Sequence, residues 1–93
     1  MKFEWDNNKS DANKRKHGID FEEVQTLWND SNARVLDANE KNEMRFLVVG
    51  KIGGKYWTAV VTERGEKIRI ISVRAARKEE KDEYDSKRTK NNG

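Results

Sequence analysis

Apolar and polar residues alternate in several short stretches of the chain, a spacing of two that is typical of half-buried β-strands. Five strands are predicted, over residues 2–6, 33–37, 44–51, 55–62 and 66–73. Gly53-Gly54 separates the third strand from the fourth, and Gly65 separates the fourth from the fifth. Glycines at such positions favour tight hairpins, so the last three strands are predicted to form an antiparallel meander.

Helical signals lie between the first two strands and after the last one. Residues 8–17 are polar and end before Gly18, a residue suited to the left-handed conformation at a helix C-cap. A second helix begins after Asp20, which precedes Glu23 by the spacing of a capping box. Its apolar residues recur at helical spacing and should face the core: Phe21, Val24, Leu27 and Trp28. A third helix is predicted over residues 75–87.

The resulting order, β-α-α-β-β-β-β-α, predicts an α+β domain. Its antiparallel sheet should carry the two N-terminal helices on one face, which leaves the other face partly open. The C-terminal helix has little apolar surface and should dock only weakly. Residues 1–93 fit a single domain, in which residues 89–93 form a polar tail that is expected to be mobile.

Charge is distributed unevenly between the two halves of the chain. Charged residues make up 40% of the sequence and hydrophobic residues 33%, and the net charge is +3. Residues 1–46 carry 8 Lys and Arg against 10 Asp and Glu, a net of −2, whereas residues 47–93 carry 12 against 7, a net of +5. The basic second half favours an acidic partner, either nucleic acid or an acidic protein. Charge that only keeps the protein soluble would give the same composition.

Several kinds of site are excluded by composition. The chain has no cysteine, which excludes disulfides, thiolate catalysis and cysteine-bound zinc. Since it also has only one histidine, we expect neither a metal site nor a cofactor. No apolar stretch approaches the roughly 20 residues of a membrane span. No signal-peptide pattern follows Met1, so a cytoplasmic protein is expected.

Residues 63–77, ERGEKIRIISVRAAR, combine a strand pattern with closely spaced arginines. Strict alternation would give one face to Ile68, Ile70, Ser72 and Arg74, and the other to Lys67, Arg69, Ile71 and Val73. A guanidinium group donates two parallel hydrogen bonds to anionic oxygens, so we interpret this stretch, together with Arg45 from an earlier strand, as a surface for a polyanion, with RNA favoured. Salt bridges to the many carboxylates of the chain are the alternative.

Cleavage of RNA by its own 2′-hydroxyl group needs a base, an acid and cations for the phosphate, but no metal ion. We predict that Arg64 and Arg74 bind phosphate and that His17 carries a proton. Alternatives for proton transfer are Glu23, Glu63, Glu66 and Tyr84. Further RNA contacts are assigned to Lys9, Lys16, Arg69, Ser72 and Arg77.

Two features leave these roles open. Arg64 and Arg74 lie about 30 Å apart along an extended strand, so they need not share one site. The structural alternative for His17 is that it hydrogen-bonds the last carbonyl groups of its helix.

Three segments resemble the BrnT family of type II toxin–antitoxin toxins: FEWD (residues 3–6), NKSDANKRKHGIDFEE (8–23) and ERGEKIRIISVRAA (63–76). The resemblance implies a RelE/ParE-like fold and an endoribonuclease that inhibits translation. It also implies a BrnA-like antitoxin partner with a ribbon-helix-helix domain. Toxin and antitoxin would form a hetero-oligomer that meets operator DNA only through the antitoxin.

Four of the predicted site residues lie inside the matching segments: His17, Arg64, Ser72 and Arg74. Their roles rest on the chemistry above, since the resemblance alone does not assign them. Two other functions stay open. One is a non-catalytic corepressor or interaction module within the antitoxin complex, and the other is a RelE/ParE-fold toxin that acts on a protein target such as gyrase.

Overall fold

The computed structural model describes residues 1–38 and 43–91. The strands are β1 (Lys2–Glu4), β2 (Arg34–Asp37), β3 (Phe46–Ile52), β4 (Lys55–Arg64) and β5 (Lys67–Ala75). The helices are α1 (Asn7–His17), a 3₁₀ helix (Glu23–Asn29) and α2 (Lys78–Asn91). The order of elements is the predicted one, although the second helix is 3₁₀ and not α. The predicted tail of residues 89–93 is helical as far as Asn91, and the rest of it lies outside the described residues.

The five strands form one mixed sheet in the order β1-β5-β4-β3-β2. The meander β3-β4-β5 is antiparallel, as the hairpin glycines predicted, and β2 is antiparallel to β3. The prediction of a purely antiparallel sheet is wrong, because β1 runs parallel to β5 with Phe3 opposite Ile68. These two strands are separated by most of the chain and share no hairpin, so local turn signals could not set their direction.

Asp6 and Gly18 hold the two ends of α1. The carboxylate of Asp6 accepts hydrogen bonds from the backbone N–H groups of Asn8 and Lys9, at 2.8 and 3.2 Å. Gly18 ends the helix with a φ of 81°, a conformation that glycine adopts without steric cost. The chain therefore leaves β1, turns through α1 and reverses at a defined point.

Asn13 takes the place of β1 along the edge of β5. β1 pairs only with residues 67–69, and beyond it the backbone N–H of Val73 donates to Oδ1 of Asn13 at 3.3 Å. Nδ2 of the same side chain donates to the carbonyl oxygen of Ile19 at 2.9 Å. One buried amide therefore joins α1 to the sheet and to the segment that follows.

Replacing Asn13 with alanine is expected to lower the free energy of unfolding by about 1–3 kcal/mol, because a buried N–H and a buried carbonyl lose their partner. Asn8→Ala provides a matched control on the exposed side of the same helix and should cost less than about 0.5 kcal/mol. Urea unfolding followed by circular dichroism measures both. Equal midpoints for the two variants would contradict the role of Asn13.

Residues 19–28 cover one side of the sheet, which we call the core face. The predicted capping box is confirmed: the N–H of Glu23 donates to Oδ1 of Asp20 at 2.7 Å, and the N–H of Asp20 donates to Oε1 of Glu23 at 3.0 Å. Gly50 of β3 permits a close approach, since a Cβ there would lie 3.1 Å from the Leu27 side chain. The buried residues of this core are Ile19, Phe21, Val24, Leu27, Val48, Trp57, Ala59, Val61, Ile70 and Val73.

α2 packs on the opposite side of the sheet, which we call the α2 face. Tyr84 anchors it with only 2% of its surface exposed, and its hydroxyl donates to Oδ2 of Asp30 at 2.9 Å. The hydroxyl of Tyr56 in β4 donates to Oδ1 of Asp85 in α2, also at 2.9 Å. These polar contacts supplement one buried ring, which explains how a helix with little apolar surface docks.

A β-bulge interrupts the alternation of β5. Val60 of β4 lies opposite Ser72, but its neighbour Val61 lies opposite Ile70. Ile71 is therefore an extra residue without a partner on β4, which is the definition of a bulge. A bulge shifts the side-chain alternation of its strand by one residue.

The shift redistributes the polar residues of β5. Ile70 before the bulge and Val73 after it both face the core and are buried. The prediction that Ser72 and Arg74 share a face with Ile70 is therefore wrong. Both lie on the α2 face, and Arg69 lies there too. Their partners on β4 are the alternating residues Thr58, Val60 and Thr62.

Candidate functional site

A groove on the α2 face gathers arginines from three parts of the chain. It has a volume of about 340 Å³ and we call it the arginine groove; the residues that matter here are Arg45, Leu47, Val60, Arg74, Arg77 and Glu80. Arg45 precedes β3, Arg74 belongs to β5, and Arg77 lies between β5 and α2. Only folding brings these three positive charges to one cavity.

Arg74 and Glu80 form a bidentate ion pair in the wall of the arginine groove. Nη1 and Nη2 of Arg74 donate to the two carboxylate oxygens of Glu80, each at 2.8 Å. Oε1 of Glu80 also accepts hydrogen bonds from Oγ1 of Thr58 and from the backbone N–H of Arg77, both at 2.8 Å. Only 8% of the Glu80 side chain is exposed. This network fixes the first turn of α2 to β4 and β5.

Both members of this pair stay charged at physiological pH. The hydrogen bonds from Arg74 lower the pKa of Glu80 to about 2 against the opposing effect of burial, with help from the N–H of Arg77 and the hydroxyl of Thr58. The same hydrogen bonds raise the pKa of Arg74. Because the two charges offset each other, Arg74 shapes the groove more than it adds net positive charge to it.

Arg77 supplies a cation of a different kind. Its carbonyl oxygen accepts a hydrogen bond from the N–H of Lys81 at 3.0 Å, so its backbone is held at the start of α2. Its side chain is exposed, and among residues 1–38 and 43–91 it has no ion-pair partner. Arg45, across the groove, pairs with Glu43 at 3.0 Å. An exposed guanidinium on a fixed backbone can form two parallel hydrogen bonds to a phosphate.

Ser72 and Arg69 continue the α2 face beyond the groove. Ser72 lies opposite Val60, which lines the arginine groove, and Arg69 lies opposite Thr62, one step further away. Arg69 pairs with Glu4 of β1 at 3.1 Å and remains partly exposed. Polar and cationic side chains therefore extend from the groove toward the β1 edge of the sheet.

His17 is the last residue of α1 and is not among the residues that line the arginine groove. Along β5, β1 lies beside residues 67–69 and Asn13 lies beside Val73. The segment from β1 through α1 therefore runs in the same direction as β5. His17 follows Asn13 by one helical turn and therefore lies toward Arg77. Within the described part of the chain its side chain makes no hydrogen bond, and the alternative role of capping its own helix finds no support.

Lys9 and Lys16 are exposed on α1, one turn before and one turn after the buried Asn13. Their spacing places them at the borders of the helix face that meets β5. They flank the sheet and do not line the arginine groove.

Arg64 and Glu63 lie far from the groove. Arg64 is opposite Lys67 in the β4–β5 hairpin, six residues from Thr58, which is opposite Arg74. Six residues of a strand span about 20 Å, so Arg64 and Arg74 cannot reach the same phosphate. Glu63 precedes Arg64 in β4 and points to the core face. Of the predicted site residues, the structure groups Arg74 with Arg77 and leaves these two apart.

Two residues that build the groove or its wall, Thr58 and Glu80, had no predicted site role. Thr58 is the lone polar residue within the apolar run YWTAVV, which was a usable signal of a buried hydrogen bond. Glu80 follows Arg77 by three residues, the spacing at which a carboxylate caps the first N–H of a helix. Arg45 was expected among the cations of the polyanion surface, and the structure places it in the groove.

The described residues also limit other kinds of site. Among residues 1–38 and 43–91, no three His, Asp or Glu side chains are grouped so as to hold a metal ion. In the same part of the chain, no helix combines the length and the apolar character needed to cross a membrane.

One family model matches this chain. Its description is "Ribonuclease toxin, BrnT, of type II toxin-antitoxin system", and the match covers residues 5–80, more than half of the sequence. This range contains every residue named above for the arginine groove. No curated protein matches the chain.

Proposed function

Since the chain belongs to the BrnT family, the ribonuclease toxins of type II toxin–antitoxin systems, we propose that it is an endoribonuclease whose arginine groove binds the RNA backbone. The toxin acts in the cytoplasm, has a RelE/ParE-like fold, cuts RNA without a metal ion and thereby inhibits translation. An antitoxin with a ribbon-helix-helix domain neutralises it, and the hetero-oligomer contacts operator DNA through that antitoxin.

The observation that carries this proposal is the exposed side chain of Arg77 in the arginine groove. Arg45 and the fixed Arg74–Glu80 pair line the same groove. Guanidinium groups held around a cavity match the geometry of phosphate oxygens. The first turn of α2 borders the same cavity, and the N-terminal end of a helix favours an anion. Arg69 and Ser72 support the proposal further, because they offer contacts for neighbouring nucleotides along β5.

The proposed reaction is attack of a ribose 2′-oxygen on the adjacent phosphorus atom. The bond from phosphorus to the 5′-oxygen breaks, which leaves a 2′,3′-cyclic phosphate on one product and a 5′-hydroxyl on the other. A base takes the proton of the 2′-hydroxyl, and an acid gives a proton to the departing 5′-oxygen. His17 is proposed as one proton carrier, and Arg77 with Arg45 offsets the charge that develops on the phosphate.

We expect the purified chain to cut single-stranded RNA in the presence of a metal chelator and to leave 2′,3′-cyclic phosphate ends. If the groove contacts three phosphates, raising the salt from 50 to 200 mM should weaken RNA binding by about 20-fold, because binding releases counterions from the RNA. Gel electrophoresis with end analysis measures RNA cleavage, and fluorescence anisotropy measures RNA affinity at each salt concentration. Intact RNA together with tight antitoxin binding would favour the corepressor function instead. Growth arrest in cells with intact RNA would favour a protein target.

A further inference from the structure

The core face of the sheet carries an apolar groove that residues 19–28 leave uncovered. It has a volume of about 210 Å³, and its lining includes Trp28, Val35, Phe46, Val61 and Ile68. We call it the apolar groove. It lies on the opposite side of the sheet from the arginine groove, since Val61 and Ile68 face the core whereas Val60 and Arg74 face α2.

The four strands beneath the apolar groove together are wide enough to support an α-helix. Its floor crosses β2, β3, β4 and β5, four neighbouring strands whose three spacings amount to about 14 Å. A helix with its side chains is roughly 10–12 Å wide. The indole of Trp28, held edge-on against Phe3 at 4.8 Å between ring centres, forms one wall. A helix in this place would complete the layer that the 3₁₀ helix begins.

The lining of this groove includes an exposed apolar side chain at the edge of the sheet. Val35, on the edge strand β2, is 62% exposed. Large apolar side chains grouped at the surface are typical of a binding site for another protein. β2 also has an unpaired outer edge, because it is the last strand of the sheet.

Carboxylates at this groove specify the charge of its partner. Asp37 of β2 lies opposite Phe46, and Glu63 of β4 lies opposite Ile68, so both carboxylates point to the core face. Both residues are exposed. A complementary partner therefore combines an apolar stripe with lysine or arginine. These two carboxylates disfavour the phosphates of RNA as the occupant of this groove.

We infer that the apolar groove binds an amphipathic helix of the antitoxin, with the apolar stripe of that helix on Val35, Phe46 and Ile68 and a basic residue beside Asp37. This inference rests on the proposed function, because the occupant of the groove is the antitoxin of a toxin–antitoxin pair. The inference names the surface that the antitoxin contacts and the chemistry of that contact. Antitoxin and RNA then bind opposite faces of the sheet, so a mutation can weaken one contact without affecting the other.

Binding of the purified antitoxin encoded with this chain, measured by isothermal titration calorimetry, tests the inference. Val35→Asp should weaken binding by about 30-fold, the effect of losing an interface hot spot, and Asp37→Lys by about tenfold through charge repulsion. Ala12→Asp and Asp11→Lys make the same chemical changes on the exposed side of α1 and should stay within threefold of the wild type. All four variants should keep the melting temperature and the RNA cleavage rate of the free toxin.

Affinities within threefold of the wild type for both Val35→Asp and Asp37→Lys would overturn the inference. So would light scattering that shows a dimer of the free toxin, converted to a monomer by Val35→Asp with antitoxin affinity unchanged, because the groove would then bind a second copy. If the wild type fails to cut RNA but Val35→Asp still loses antitoxin binding, the proposed function falls and the groove assignment stands.

Discussion

Replacing Arg77 with alanine is expected to lower the rate of RNA cleavage by about 10²–10³-fold, the usual cost of removing one donor to a transition state. Arg77 is the groove arginine whose side chain is exposed and whose backbone is fixed by the start of α2. Its removal takes away the proposed phosphate ligand and breaks no ion pair that the structure describes. The melting temperature should therefore stay close to that of the wild type.

Arg64→Ala is the matched control for this experiment. It removes the same side chain from an exposed position about 20 Å along β4 from the partner of Arg74, and we expect the cleavage rate to change by less than threefold. Arg77→Lys should fall between the two, because lysine keeps the charge but loses the planar fork. A cleavage rate within threefold of the wild type for Arg77→Ala would remove the arginine groove as the catalytic site, provided that the wild type cuts RNA.

Replacing Glu80 with glutamine is expected to destabilise the protein by about 2–4 kcal/mol, because it leaves the guanidinium of Arg74 without its counter-charge. The lower part of this range is favoured, since 21% of the Arg74 side chain is exposed to water. Glutamine keeps the size of the side chain, so the loss reports the charge and not a cavity. Urea unfolding at pH 7 measures the difference.

The stabilisation from Glu80 should also depend on pH. Its pKa is about 2 in the folded protein against an ordinary value of 4.5, so protonation favours the unfolded state. The contribution is fully present above about pH 4.5 and is lost as the pH falls toward 2. Between about pH 4.5 and 2, the free energy of unfolding should fall more steeply for the wild type than for Glu80→Gln, so that the two values converge.

Glu79→Gln is the control for the stability measurements, because it makes the same change at the neighbouring exposed position in the first turn of α2. We expect it to cost less than about 0.5 kcal/mol at pH 7. A Glu80→Gln variant as stable as Glu79→Gln would show that the ion pair does not hold α2 on the sheet. The tertiary position of Arg74 would then need another explanation.

Local features of the sequence were sufficient for most of the elements. Alternation and turn glycines predicted the meander β3-β4-β5, which the structure confirms. Gly18 marked the end of α1 correctly, and the hydrogen bonds of the Asp20–Glu23 capping box formed as predicted, although the 3₁₀ helix begins only at Glu23. These signals succeed because each depends on residues within a few positions of one another, where backbone conformation and short hydrogen bonds decide the outcome.

The candidate site could be predicted only in part, because its residues are remote from one another in sequence. Arg74, Arg77 and Arg45 were expected among the cations of the site, but Glu80 was not. Arg64 was grouped with a site from which it lies about 20 Å away. The bulge at Ile71 is decisive, because one unpaired residue turns Ser72 and Arg74 from the core face to the α2 face. Strict alternation cannot reveal such a shift.

By itself, the sequence determined the α+β class, the C-terminal end of α1, the hairpins, the family and the basic character of the second half of the chain. Only the tertiary structure decided that β1 pairs in parallel with β5, and which arginines share a face. It also decided that Arg74 is held by Glu80 while the side chain of Arg77 is exposed. The physical reason is that strand register and helix docking depend on contacts between remote residues, whose energies no local pattern encodes.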